Sequence, residues 1–311
     1  MDKLALIFIL EKGYLEQQAL LLAESVKTFA ASGMPMDMYA CCVRKDYNPS
    51  EETIQQLQQW GVTTICENLN EKFDYFPLCN GIHAAAYVEQ YYPDYAGYLL
   101  VDTDTVFTGS LPMTLFQKPA LMMRTVDNKG IGSSGDDDPN DEFWQQAFAL
   151  FDMPLSPPSA ETTVRKAFIR PYYNSGFVLA YQLNDFMQHW KNDFYKLMQS
   201  EIRTAGEASR YGKDYGFIEQ FTLSITASRF PQTLVEAPET INYPIPFRPM
   251  LKDRDGHPNF TDLVHVHYHR WFQHPGFLDH VTAPEEQTTT QYNWLKSRLP
   301  LQPTIDDPFK C

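Results

Sequence analysis

The chain has 311 residues, 43% of them hydrophobic and 14% aromatic, enough to bury a sizeable core as one large α/β domain or a core with a subdomain. Its formal net charge of −14 excludes a general nucleic-acid binder and offers no basic surface to anionic lipid, while leaving room for a nucleotide held through a metal ion. The five cysteines, Cys41, Cys42, Cys66, Cys79 and Cys311, are odd in number and contain no C-x-x-C pair, which reads as reduced thiols of a cytoplasmic protein.

The first ten residues hold only a short apolar run, too short for a signal peptide or a membrane span, and read as a first buried strand over Leu4–Leu10. Leu15, Ala19, Leu22, Ala23, Val26 and Phe29 then recur at helical spacing. Met36–Val43 is the next strand. Ser50 caps a helix that runs to about Trp60, and Val62–Ile65 is a third strand. A helix from about Leu78 to Tyr91 precedes a fourth strand ending at Val101. This alternation implies an α/β fold with a mainly parallel, doubly wound sheet flanked by helices. No glycine fingerprint follows the first strand, and a P-loop is absent, so an ordinary dinucleotide or P-loop site is disfavoured.

The fourth strand leads into Asp102-Thr103-Asp104. Two carboxylates at the C-terminal end of a buried strand stand where open α/β sheets bind ligands. Two like charges held so close are costly unless a cation joins them, which points to a divalent metal and, on it, a diphosphate. Residues 127–140, with the Asp136-Asp137-Asp138 run, read as a solvated acidic loop, with a mobile lid or a further metal site as the alternative.

Tyr172-Tyr173-Asn174-Ser175-Gly176 is a small polar turn before an apolar strand. Gly176 permits close backbone approach, and Asn174 offers a donor and an acceptor to a hydroxylated ligand. Lys213–Phe221 opens an apolar helix that runs to about Ala227, with Asp214 as its cap and Glu219 and Gln220 inside. His265, His267 and His269 fall on one face of an extended segment, and neutral imidazole is a common transition-metal ligand. The segment from about Ala283, rich in Pro, Thr and Gln, is expected to wrap the surface or dock loosely.

In this order the four elements resemble the GT-A-fold glycosyltransferases, nearest the retaining branch that includes glycogenin and bacterial lipopolysaccharide galactosyltransferases. The resemblance spans roughly residues 4–275. It implies a GT-A-type domain over 1–282, with a Rossmann-like nucleotide-binding half over about 1–125, an acceptor and metal half over about 140–282, and a tail over 283–311. It implies a hexosyltransferase-type enzyme that moves a sugar from a nucleotide-diphosphate sugar, a UDP-sugar, to a glycan, small-molecule or protein acceptor, with retention.

Residue by residue, the resemblance implies that Asp102 touches ribose and metal and that Asp104 is the main metal ligand. Asn174, Ser175 and Gly176 would approach the donor or acceptor sugar. Glu219 and Gln220 would stand for the family's Asp-Gln pair, with Glu219 one methylene longer. His267 is the preferred metal-binding histidine, with His265 and His269 as alternatives. Mixed carboxylate and imidazole ligation suits Mn²⁺, with Mg²⁺ as the alternative.

The family's late Gly-x-x-Lys-Pro-Trp phosphate segment is missing. Arg270 is the substitute, within His269-Arg270-Trp271-Phe272-Gln273. Where a Lys or Arg often stands before the Asp-x-Asp, this chain has Asn80-Gly81-Ile82-His83.

The rival class is a haloacid-dehalogenase-type phosphatase with Asp102 as nucleophile and Asp104 as acid-base. The strand-helix alternation before the motif and the histidine strand count against it. A sugar nucleotidyltransferase lacks its Gly-rich basic loop here, and a non-catalytic sugar-binding module would leave the metal constellation unexplained.

Overall fold

The computed structural model describes residues 2–204 and 217–305. In chain order the elements are β1 (Leu4–Ile9), α1 (Tyr14–Ser25), β2 (Met36–Cys42), α2 (Glu51–Gln59), β3 (Thr63–Cys66), α3 (Asn80–Tyr91), β4 (Gly97–Val101) and β5 (Thr105–Phe107). Then follow β6 (Ala120–Thr125), α4 (Asp141–Leu150), β7 (Ala160–Glu161), β8 (Phe168–Ile169), β9 (Tyr173–Tyr181), α5 (Phe186–Gln199) and α6 (Ile218–Ala227). The last are β10 (Leu234–Glu236), β11 (Tyr243–Pro244), α7 (Arg248–Leu251), β12 (His265–His267), α8 (Phe277–Val281) and α9 (Thr290–Lys296).

A seven-stranded sheet runs in the order β10-β6-β9-β4-β1-β2-β3. Every strand but β9 runs the same way, since β9 pairs antiparallel with both β4 and β6. The strand opened by Asn-Ser-Gly is therefore wedged beside the strand that ends in Asp-x-Asp. That pairing places Val101 opposite Phe177, and Asn174, Ser175 and Gly176, expected as a turn before the strand, lie within β9 itself, beside the Asp-x-Asp turn. This mixed sheet with helices on both faces is the α/β arrangement expected.

Strand alternation sorts the core. Leu99 and Val101 pack with Leu6, Phe8 and Leu22 on one face, and Tyr98 and Leu100 pack with Ile7, Trp190 and Phe221 on the other. Each such fully buried side chain contributes roughly 1.5–3 kcal/mol of transfer free energy. Ser50 caps α2, its hydroxyl accepting from Thr53 N–H at 3.3 Å.

A small sheet, β11-β12-β5, crosses the end of the large one. Its core joins Val106 and Val266 to Tyr243, Phe272 and Leu295. The segment after Ala283 does more than dock loosely: Tyr292, Leu295 and Leu301 enter this core, and Glu286 pairs with buried Arg248 at 2.6 Å. Apolar residues hidden among its prolines and threonines supply that anchoring.

The 127–140 loop also departs from expectation. Asp138 is buried, accepting from Lys129 at 2.6 Å and from the Ser134 N–H and hydroxyl at 3.0 and 2.7 Å. Asp141 pairs with Arg170 at 2.7 Å, and Asp136 accepts from the same guanidinium. Asp136 and Asp137 stay exposed, as in a solvated loop, while Asp138 is held by its own partners, and among the described residues the run forms no metal cluster. α6 begins at Ile218, after Phe217 in a left-handed conformation (φ 49°), and Asp214 lies outside the described residues. No described helix is long and apolar enough to cross a membrane.

Candidate active site

The C-terminal ends of β1 and β4 open onto a cavity of about 220 Å³, lined among others by Glu11, Asn80, Asp102, Asp104, Ser175 and Glu219. This is the sheet edge at which open α/β folds bind ligands.

The turn that carries Asp102 and Asp104 is tied down on every side. Asp102 N–H donates to Gly176 O at 3.1 Å, and Tyr268 N–H donates to Asp104 O at 3.0 Å. The Thr103 hydroxyl donates to Ile9 O and the Thr105 hydroxyl to Asp102 O, both at 2.6 Å. β12 pairs antiparallel with β5 and sets His267 opposite Thr105. His267 Nε2 thereby stands 3.2 Å from Asp104 Oδ1 and 3.7 Å from Asp102 Oδ2. Gly176 makes this possible: a Cβ there would sit 2.8 Å from the His267 ring, against its Nδ1 and Cε1. The glycine and the histidine, remote in sequence, are one packing unit.

The electrostatics follow from that crowding. Burial alone would lower the His267 pKa, but the carboxylates, Asp104 foremost, raise it to about 9. Burial would raise Asp104, yet the charge and hydrogen bond of His267 pull it below the ordinary carboxylate range. Asp102 moves the other way, raised by enclosure in protein and by the Asp104 charge although its side chain stays 47% exposed toward solvent. Two carboxylates on one turn facing one imidazole on β12 form a donor set that a divalent cation can occupy once the imidazole gives up its proton.

His269 lies past the end of β12, in a left-handed conformation (φ 53°), so the three histidines do not continue one strand face. Its ring centroid is 4.2 Å from that of His267, and its Nδ1 is 3.9 Å from Asp104 Oδ2. Asp104, His267 and His269 offer ligand atoms that all lie within 4.8 Å of one another. His265 is fully buried between the Phe107 and Phe177 rings, and neither ring nitrogen has a hydrogen-bond partner among the described residues. Burial lowers its pKa to about 3 and keeps it neutral, a core histidine.

Glu219 is on the first turn of α6 and lines the cavity, with its side chain enclosed. Its Oε2 has no hydrogen-bond partner among the described residues. Burial, with the Asp102 charge adding to it, pushes its pKa up to about 8, so it is a neutral acid in the resting protein. The Trp190 indole N–H fixes its backbone by donating to Glu219 O at 3.0 Å.

Gln220 and Asn174 are placed differently. Gln220 Oε1 accepts from Ser175 N–H at 3.1 Å, and its Nε2 donates to the Tyr172 hydroxyl at 2.8 Å. Asn174 Oδ1 accepts from Gly176 N–H at 2.8 Å and from Asn242 Nδ2 at 2.9 Å. Both amides thus brace the first residues of β9 behind the cavity. Ser175 reaches the cavity wall, and so does Arg270, whose guanidinium lies 5.0 Å over the Tyr14 ring with Nε donating to Gln273. Among the described residues that line the cavity, Arg270 is the only lysine or arginine. His83, where a basic residue was sought, is no cation: it bridges Cys79 O and the Tyr195 hydroxyl, and burial lowers its pKa to about 4.

A second polar group on the cavity wall escaped the sequence reading. Glu11, just past β1, accepts from Arg44 Nε and Nη2 at 2.8 and 2.6 Å and from Asn80 Nδ2 at 3.0 Å. Asn70 in turn donates to Asn80 at 2.8 Å. The signal that flags Asp102, a charge at the C-terminal end of a buried strand, applies equally to Glu11 and Arg44.

A family model described as a Rhodobacterales glycosyltransferase domain matches residues 6–230, from β1 through α6 and beyond. The chain belongs to this glycosyltransferase family. No curated protein matches it in sequence. Among solved structures, this glycosyltransferase is similar to the apo structure of WbbM, a bifunctional glycosyltransferase, with a TM-score of 0.53 at 12% identity. That match covers 96% of this chain and 52% of WbbM, so the chain spans about half the length of that protein. At 96% of the chain, the match extends the fold likeness past the residues that the family model matches. Neither comparison names a phosphatase, and the reading of Asp102 as a phosphorylated nucleophile gains no support.

Proposed function

We propose that this glycosyltransferase moves a sugar from a nucleoside-diphosphate sugar to a glycan, small-molecule or protein acceptor with the help of a divalent metal ion. The observation that carries the reading is the convergence of Asp102 and Asp104 on His267, at 3.7 and 3.2 Å, on the wall of a cavity that also holds the unpartnered acid of Glu219. The donor set of carboxylate and imidazole fits Mn²⁺, with Mg²⁺ as the alternative. Such an ion, when bound, supplies Lewis-acid stabilisation to a departing diphosphate.

The chain's own residues supply the rest. Asp104 and His267 would hold the cation, and Asp102 would serve the cation and the ribose. Arg270, which lines the same cavity, would meet the diphosphate. The end of β1 with Glu11 and Asn80 encloses the nucleoside, while β9 and β12 form the metal and acceptor side. As positive charge develops on the sugar, Glu219 is the acid nearest the reacting centre, and a cation beside Asp102 favours its ionised form. Gln220 and Asn174 position Ser175 and Gly176. The resemblance to the glycogenin branch supports uridine in the donor and retention of configuration. The pattern of unpaired cysteines supports a cytoplasmic location.

Thermal stability with UDP, GDP or CMP, each with and without Mn²⁺, tests the reading. A ligand at 100 times its dissociation constant adds roughly 2.7 kcal/mol. We expect a UDP shift that requires Mn²⁺ and disappears in Asp104→Asn. A folded protein that no nucleotide stabilises would overturn the reading.

A further inference from the structure

We propose that His269 is a second imidazole ligand, completing with Asp104 and His267 a two-histidine, one-carboxylate set that selects Mn²⁺ over Mg²⁺. This rests on the metal-dependent reading above and adds a residue and a selectivity to it.

The geometry carries the inference. Asp104 reaches both rings, Oδ1 3.2 Å from His267 Nε2 and Oδ2 3.9 Å from His269 Nδ1. Ligand atoms of all three residues lie within 4.8 Å of one another. An ion with bonds of roughly 2.1 Å needs neighbouring donors roughly 3–4 Å apart, so a small adjustment closes the shell. His269 holds a left-handed backbone here, a conformation that costs a non-glycine residue and persists where the surroundings hold it. An extended residue 269 would continue the β12 pleat. The turn instead brings its ring to 4.2 Å from that of His267, half open to solvent, on the side where Asp104 presents its second oxygen.

The chemistry then sets the preference. Mg²⁺ favours oxygen ligands and keeps its waters, whereas imidazole suits the transition ions. One histidine among carboxylates leaves Mg²⁺ competitive. Two histidines on one carboxylate shift the set toward nitrogen, and Asp102 remains available to the nucleotide side.

Titration of Mn²⁺ alone, followed by electron paramagnetic resonance and calorimetry, tests this on the wild type and on His269→Asn. Asparagine tolerates the left-handed backbone and removes the imidazole. Thermal melting of both proteins checks that the variant is folded. Spin-echo spectra of bound Mn²⁺ should show couplings to two imidazole nitrogens in the wild type and to one in His269→Asn. The variant should bind Mn²⁺ roughly tenfold or more weakly, at least the loss that outer-shell partners cause. Mg²⁺ should displace Mn²⁺ from it more readily.

Wild-type Mn²⁺ binding with one nitrogen coupling, or with an affinity that His269→Asn leaves unchanged, would overturn the role of His269 while leaving metal dependence intact. Absence of Mn²⁺ binding to the wild type, with and without UDP, would remove the metal-dependent reading itself.

Discussion

Two polar groups line the same cavity, and they are built on opposite principles. Around Glu11 the bonding is complete: Arg44 meets the carboxylate with two parallel hydrogen bonds, spends a third on Asp74 O at 2.9 Å, and lies 3.6 Å over the Tyr47 ring, while Asn80 and Asn70 take up the remaining capacity. Around Asp102 the bonding is incomplete. Two carboxylates share one imidazolium, and the Glu219 acid beside them has an oxygen without a partner among the described residues. A satisfied buried network specifies a fold, whereas an unsatisfied one is costly to keep and marks where a ligand completes it. The first group holds the wall, and the second is the reacting centre.

That contrast can be broken by exchanging the two behaviours. The largest expected effect is Arg44→Met, which strands Glu11 as an uncompensated buried charge and should cost about 3–5 kcal/mol in urea unfolding. Adding Glu11→Gln should recover a good part of it. Equal stability of Arg44→Met and wild type would mean that the Glu11 cluster holds nothing together.

Asp104→Asn should do the opposite, lowering sugar transfer by about a thousandfold, about 4 kcal/mol of barrier, while the melting temperature holds. A loss of stability as large as that of Arg44→Met would erase the distinction between the two groups.

Glu219 sharpens the comparison through pH. Its folded pKa, about 8, lies above its unfolded value, so the folded state holds the proton longer. Its contribution to stability is full below the unfolded pKa and is lost as pH rises toward 8, by at most about 1.4 kcal/mol per pH unit. Denaturation of wild type and Glu219→Gln between pH 5 and 8 should show the wild type falling more steeply, with the two curves separating toward pH 8. Parallel curves would place an ionised carboxylate there instead.

The smallest effect concerns the packing beneath the metal residues. Gly176→Ala sets a methyl group 2.8 Å from the His267 ring and should push the ring off Asp104. Mn²⁺ affinity should fall about tenfold, about 1.4 kcal/mol, with the fold retained. An unchanged affinity would show that His267 does not need that gap.

Much of the frame was legible in the residues themselves. Periodicity placed β1 through β4 and the helices between them, because a parallel strand buried on both faces must be apolar and its helices must alternate faces. Asp-x-Asp at the end of β4 could be located for the same reason, as a charge where the apolar run stops. Ser50 at the start of α2 followed from capping chemistry alone.

The partners of these residues were decided only by the tertiary structure. That His267 and neither His265 nor a continuous histidine face meets Asp104 depends on a strand that ends after three residues and a left-handed turn at His269. That Gly176 serves the ring of a histidine about ninety residues away, and that Gln220 and Asn174 brace the start of β9 behind the cavity, depends on β9 entering the sheet antiparallel beside β4. Sequence sets local conformation through short-range sterics and burial, so strands and caps can be read from it. A site is set by which strand ends meet, and that follows from pairing order and packing across long stretches of chain, which no local pattern encodes.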